Sequence, residues 1–213
     1  MNLTRKIIFL TLLLVSAVSM SAAENKPENQ NEFQNLEKAT FAGGCFWCME
    51  ASFEKSGGII SVVSGYTGGK EVNPAYKDVS AGKTGHAESI EIVYDPKQVS
   101  YEKLLDIFWQ NIDPTTIDRQ FNDVGKQYRT AIFYHNEEQR RLAETSKAQL
   151  DKDNVFGQKI VTQIVPAGPF YPAEESHQDY HTKNPIPYKY YKFLSGRDRY
   201  TEKIWGKDKK KPQ

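Results

Sequence analysis

Sulfur and net charge are both scarce in this sequence. Its 213 residues include two cysteines, three methionines and four histidines, and 28 basic side chains against 27 acidic ones leave a formal charge of +1. Near-neutrality argues against nucleic acid as the main partner. Two cysteines are too few for a disulfide-stapled mini-protein or a cysteine-rich zinc site. Zinc needs about four ligands, so His86, His135, His177 or His181 would have to converge on both sulfurs; no metal is expected. No internal repeat is visible, and the longest apolar run, about a dozen residues, falls short of the roughly 20 that span a bilayer.

That run follows Arg5-Lys6, extends from Ile7 to Val18 and leads into Ser19-Met20-Ser21-Ala22-Ala23. A basic start, an apolar stretch and small residues at a cut site have the order of a secretory signal peptide, so residues 1–23 are expected to be removed and the protein exported, periplasmic or secreted. The alternative is an uncut membrane anchor. Residues 24–37 are polar, rich in Asn, Gln and Glu, and read as a flexible linker. Residues 206–213, with Lys207, Lys209, Lys210 and Lys211, read as a basic disordered tail. Between them, 38–205 is expected to be a single domain.

Its punctuation is legible. Strands are expected over 38–42, 59–66, 86–94, 129–134 and 159–165, and helices over 45–55, from Ser100 through Phe108, and over 136–150. Ser100 can cap the second helix, and Asn136 with Gln139 approximates a capping box for the third. The order β-α-β-β-α-β, then a helix and a strand, predicts an α+β fold. Its form is a two-layer α/β sandwich with a split β-α-β (ferredoxin-like) core and helices on one face. The proline- and tyrosine-rich segment 166–205 is expected to wrap around it irregularly, with one short helix near 173–181.

The two cysteines sit three positions apart in Phe41-Ala42-Gly43-Gly44-Cys45-Phe46-Trp47-Cys48-Met49-Glu50. A bridge between them would close too small a loop to stabilise a fold much, which points to chemistry. Strand, two glycines, then helix place Cys45 in the first helical turn, where backbone N–H groups favour the thiolate. The glycines allow a sharp turn and close approach of a substrate. Cys48 shares the helix face at the Cα separation of roughly 5–6 Å that a disulfide needs. Two buried cysteines acting as small hydrophobes are the bland alternative. That reading leaves the Gly-Gly and the helix start unexplained.

Gly44-Cys45-Phe46-Trp47 resembles the signature of the A-type peptide-methionine sulfoxide reductases. So do, in the family's order, Gly65-Tyr66-Thr67-Gly68-Gly69, Asn73-Pro74-x-Tyr76, Thr84-Gly85-His86-Ala87-Glu88, Asn122-Asp123-x-Gly125-x-Gln127-Tyr128-Arg129 and Ala173-Glu174-Glu175-x-His177-Gln178-x-Tyr180. The resemblance spans residues 40–191. Cys48 stands where the family usually has Gly, and the C-terminal resolving cysteines of many members are missing.

The resemblance implies thiol-dependent reduction of the S-epimer of methionine sulfoxide, free or protein-bound, as a repair reaction. Cys45 would be the nucleophile, Glu88 the acid, Tyr76 and Tyr128 donors to the sulfoxide oxygen, and Asp123 a further member of the site. Strand parity groups Glu88 with Ile90, Ile92 and Tyr94, which would keep its carboxyl protonated if that face is the buried one. The mixed opposite face (Ala87, Ser89, Glu91, Val93) leaves this open, and the resemblance decides for the buried acid. Phe46 and Trp47 would form the apolar wall for the substrate methyl. Cys48 would resolve a Cys45 sulfenic acid to a disulfide, with no cofactor beyond an external thioredoxin-like dithiol, or dithiothreitol in vitro. His177 is assigned no chemical role, and a monomer is expected.

Two other readings compete. In a thioredoxin-type oxidoreductase the Trp usually precedes the first cysteine and a cis-proline strand follows. A secreted binding module with a structural Cys-x-x-Cys would leave Glu88 and Asp123 unexplained.

Overall fold

The structure, a computed structural model, describes residues 35–206. The expected signal peptide, most of the linker and the Lys-rich tail lie outside the described residues. The described chain splits by packing into a sheet, the helices on its main face, and a helical C-terminal segment.

In chain order β1 (Glu37–Gly43), α1 (Phe46–Phe53), β2 (Ile59–Thr67), α2 (Tyr76–Ser80), β3 (Ala87–Tyr94) and α3 (Tyr101–Gln110) come first. A small hairpin follows, β4 (Arg119–Gln120) and β5 (Asp123–Val124), and then β6 (Thr130–Tyr134), α4 (Glu137–Lys152), β7 (Gln163–Pro166) and β8 (Tyr171–Pro172). The main sheet has the order β7-β6-β1-β3-β2-β8. Its centre, β6-β1-β3-β2, is antiparallel throughout, which is the split β-α-β arrangement expected from the sequence. The α4 crossover adds β7 parallel to β6.

Period-two alternation sorts the strand side chains. Phe41, Ile90, Ile92, Tyr94 and Ile132 face the helices and are buried with Met49 and Phe53 of α1, Leu104, Leu105 and Phe108 of α3, and Ala143 of α4. Phe41 is the centre of this core, stacked on Phe53, Tyr101 and Phe108 at ring-centroid distances of 5.5, 6.1 and 5.0 Å. The opposite face buries Ala42, Ala87, Ala131 and Phe133.

The caps hold as expected. Ser100 accepts from the Lys103 amide and Asn136 from the Gln139 amide, and Gln139 in turn accepts from His135 N at 2.9 Å. Four boundaries need correction. Glu37, expected in the linker, opens β1, and Gly206, expected in the tail, caps the last helix. The strand expected at 159–165 begins only at Gln163, where it registers with Ala131. The glycine-rich stretch 67–85 contains α2, and β4–β5 had no sequence signal because each strand is two residues long.

The largest correction concerns the wrap. In place of one short helix near 173–181 there is a 3-10 turn at Glu175–His177 and then α5 (Tyr180–Lys183), α6 (Pro185–Ser195) and α7 (Arg197–Trp205). Pro185 lies in the first turn of α6, where its missing N–H costs nothing. Gly196, at φ 82°, makes the left-handed joint between α6 and α7.

Phe41→Ala is expected to lower the unfolding free energy by about 3–5 kcal/mol, read as a shift of the urea midpoint at unchanged slope.

Candidate active site

The site forms where β1 runs into α1. Gly43 and Gly44 are required there by packing: a Cβ on Gly43 would lie 2.5 Å from Met49 Sδ, and one on Gly44 2.5 Å from Gln120 Cβ. Gly44 also has φ 81°, which a side chain disfavours. The neighbours are thus protein atoms, and the glycines serve close chain packing where substrate approach was expected. Cys45 is the N-cap of α1, one position before the first turn, and its carbonyl accepts from the amides of Cys48 (3.2 Å) and Met49 (3.4 Å).

Eight side chains line a cavity of about 70 Å³: Cys45, Phe46, Trp47, Tyr76, Glu88, Asp123, Tyr128 and Tyr191. One water needs roughly 10–15 Å³ by the same kind of measure, so there is room for a small group of a few heavy atoms. Seven of the eight were singled out in the sequence; Tyr191 was not. Cys48 lies behind Cys45, 1% exposed, among Ala51, Tyr188 and the cysteine itself.

Glu88 projects from the start of β3 on the same face as Ile90 and Ile92, which settles the face left open by its alternation. It is 2% exposed, and its Oε2 accepts from the Phe46 amide at 3.2 Å. Burial pushes its pKa up to about 8; the Phe46 amide opposes that shift, while Asp123 and Cys48 add to it. The carboxyl is therefore protonated at neutral pH.

The two thiols are free and share one hydrogen bond, with Cys45 S–H donating to the Cys48 sulfur. Cys48 is held down to about 7 by that bond, against burial and with help from the Arg197 and Lys192 charges. Cys45 is pushed well above its ordinary range, first by burial, then by Cys48 and Glu88. Burial thus opposes the thiolate that the helix start was expected to favour at Cys45, and Cys48 is the member of the pair whose pKa is lowered.

An aromatic cage fixes the remaining groups. Trp47 stacks on Tyr180 at 3.8 Å between ring centroids, and its Nε1 donates to His177 Nδ1 at 3.3 Å. His177 also lies 4.1 Å from the Tyr76 ring, and burial lowers its pKa, so the neutral ring serves as an acceptor. Tyr76 opens α2, anchored by its amide to Glu174 Oε1 at 2.9 Å, and burial next to Glu88 raises its hydroxyl to about 12. Tyr128 ends the 3-10 turn after β5, and its hydroxyl is likewise pushed up by burial and Glu88. Asp123 accepts from the Tyr191 hydroxyl, which also lies by Cys45. Burial raises Asp123, with Tyr191 and Arg197 opposing.

Arg197 is the residue the sequence gave least reason to notice. It is 2% exposed, and its guanidinium donates to the carbonyls of Gly43 (Nη2, 3.0 Å) and Asn111 and lies 4.8 Å from the Phe121 ring centroid. Nothing local distinguishes it from the other basic residues of α7. His86 and His135 are engaged elsewhere, on the Glu71 carbonyl and on Thr40 Oγ1.

The comparisons agree with this geometry. A family model described as peptide methionine sulfoxide reductase matches residues 37–209. The peptide methionine sulfoxide reductase MsrA of Bacillus licheniformis is 54% identical over 174 residues, 82% of this chain and 96% of that protein. That of Halalkalibacterium halodurans is 55% identical over 174 residues, covering 82% and 99%. Among solved structures, reduced Mxr1 from Saccharomyces cerevisiae superposes with a TM-score of 0.67 at 35% identity, covering 71% of this chain and 87% of that one. Methionine sulfoxide reductase A of Corynebacterium diphtheriae does so at 0.65 and 34%, covering 72% and 77%. With Cys45, a buried acid and aromatic walls around one cavity, and relatives at this identity over nearly their whole length, the chain belongs to the peptide methionine sulfoxide reductase family.

Proposed function

We propose that this chain reduces the S-epimer of methionine sulfoxide to methionine, with Cys45 as nucleophile, Glu88 as acid and Cys48 as resolving thiol. The observation that carries the reading is the buried, protonated Glu88 in the same small cavity as Cys45. Reducing a sulfoxide needs a nucleophile at sulfur and a proton for the departing oxygen, and this cavity holds both.

Cys45, and not Cys48, lines the cavity. Transfer of the proton they share from Cys45 to Cys48 puts the charge on the sulfur that faces substrate. The Cys45 thiolate attacks the sulfoxide sulfur while Glu88 protonates the oxygen, with the Tyr76 and Tyr128 hydroxyls donating to it. The hydroxyl then passes from the methionine sulfur to the Cys45 sulfur as the bond between the two sulfurs breaks, so methionine leaves and Cys45 carries the oxygen as sulfenic acid. Phe46 and Trp47 hold the methyl and thioether. Cys48 then displaces water from the sulfenic acid, forming the Cys45–Cys48 disulfide, and an external dithiol of the thioredoxin kind reduces it by exchange. The net reaction converts sulfoxide and dithiol to thioether, disulfide and water. Asp123 holds Tyr191 beside Cys45.

Export is part of the same reading, supported by the order of residues 1–23. A redox pair outside the cytoplasm depends on a reductant delivered there. Protein recovered from the extracytoplasmic fraction is expected to begin at Glu24 by mass; intact Met1 would refute cleavage.

With dithiothreitol, purified protein is expected to consume the S- and spare the R-sulfoxide. Consumption of neither rejects the activity, and preference for R rejects the epimer assignment. Cys45→Ser is expected to lose all turnover. Cys48→Ser should form one methionine per chain and accumulate sulfenic acid; full multiple turnover with a dithiol protein would remove Cys48 from the cycle.

The single-turnover rate should peak between about pH 7, where the cysteine pair loses a proton, and about 8, where Glu88 loses its own. Glu88→Gln is expected to slow that step by about 10²–10⁴-fold and to abolish the alkaline limb, measured by rapid quench across pH.

A further inference from the structure

Away from the redox cavity, α1 carries a second group of chemistry-bearing side chains. Glu50 lies two residues beyond Cys48, on the opposite side of the helix. It is fully buried, and neither carboxylate oxygen makes a hydrogen bond of ordinary geometry, the Asp179 amide and the Ser64 hydroxyl being the donors that approach it. Glu54 at the end of α1 and His181 of α5 converge on it, with one ligand atom of each within 4.8 Å of the others. His181 Nε2 sits 3.2 Å from Glu54 Oε2, and its Nδ1 is buried without a partner. Asp179 adds negative charge toward both glutamates, partly offset by Lys183 at 3.5 Å. A buried carboxylate without a well-formed hydrogen bond is costly, and a ligated cation would remove that cost.

We propose that Glu50, Glu54 and His181 form a site for one divalent transition-metal ion of the zinc type, clamping α1 to α5. Two carboxylates and one imidazole suit zinc, and three protein ligands leave a fourth position open. A cavity of about 290 Å³ bounded by Glu54, Ser61 and Asp179 lies beside the Glu54 ligand. The sequence predicts no metal at all, on ligand sets that all include the cysteines, and this group contains neither. The neighbouring Tyr180 of α5 stacks on Trp47, so an ion here would steady one wall of the redox cavity. The site does not depend on the roles proposed for Cys45 and Glu88.

The test uses the full chain carrying Cys45→Ser and Cys48→Ser, so that thiolates cannot hold the metal. Titration with Zn²⁺ by calorimetry is expected to give one ion per chain, with a Tm that rises with zinc concentration. Adding Glu50→Gln or His181→Asn is expected to weaken binding by about tenfold or more. The metal-free Tm of each variant checks its fold; His181 is partly exposed, so its replacement keeps the test open if Glu50→Gln does not fold. Absence of zinc binding, or unchanged affinity in a folded variant of either residue, overturns the proposal.

Discussion

Keeping a carboxyl group neutral inside the sheet is the constraint on which this site depends. Glu88 has no cation beside it; burial on the apolar face of β3, opposed only by one backbone amide, sets its protonation. That face is assigned by register: pairing of Glu88 with Tyr66 on β2 and of Ile90 with Phe41 on β1 aligns it with the helix side. A slip of one residue would turn the carboxyl to the opposite face. The sheet that stabilises the fold is therefore the device that tunes the acid.

The cysteine pair is governed by the opposite logic. Here the hydrogen bond from Cys45 acts first to hold the Cys48 thiol down, and the Arg197 and Lys192 charges of the C-terminal helices add to it against burial. The charge this favours on the pair lies beside a neutral acid. Tyr191, Tyr188 and Tyr180 enclose that charge with rings and few donors, so the hydrogen bonds that exist are directed.

The frame of the fold was legible in the sequence wherever a periodic apolar pattern met a turn residue. Strands β1, β2, β3 and β6 and the helices α3 and α4 come from Ile, Val, Leu and Phe spacing bounded by Gly, Pro, Ser or Asn. Most of the cavity lining was legible too, though Tyr76, Asp123 and Tyr128 only through family motifs, since loop tyrosines and aspartates are common. What stayed hidden was the C-terminal segment. Pro185 and Pro187 read as helix breakers, yet both fall in the first turn of α6, and the apolar residues Ile186, Tyr190 and Phe193 that would suggest a core stripe are exposed. Tyr191 and Arg197 gain meaning only from contacts with residues 68 and 154 positions away. The charge state of Cys45 also depends on tertiary burial, which no local pattern reports.

The Arg197–Gly43 bond has a consequence in time. The redox thiols are made early in synthesis, and the helices that cover them are made last, 154 residues later by the separation of that bond. Until α6 and α7 emerge, Tyr188 and Tyr191 cannot shield the pair, and Arg197 cannot tie down the glycine turn. A nascent or truncated chain would carry its cysteines bare, open to mixed disulfides and without the late-arriving cage. Selective reactivity of the pair thus waits on α6 and α7, which close over it.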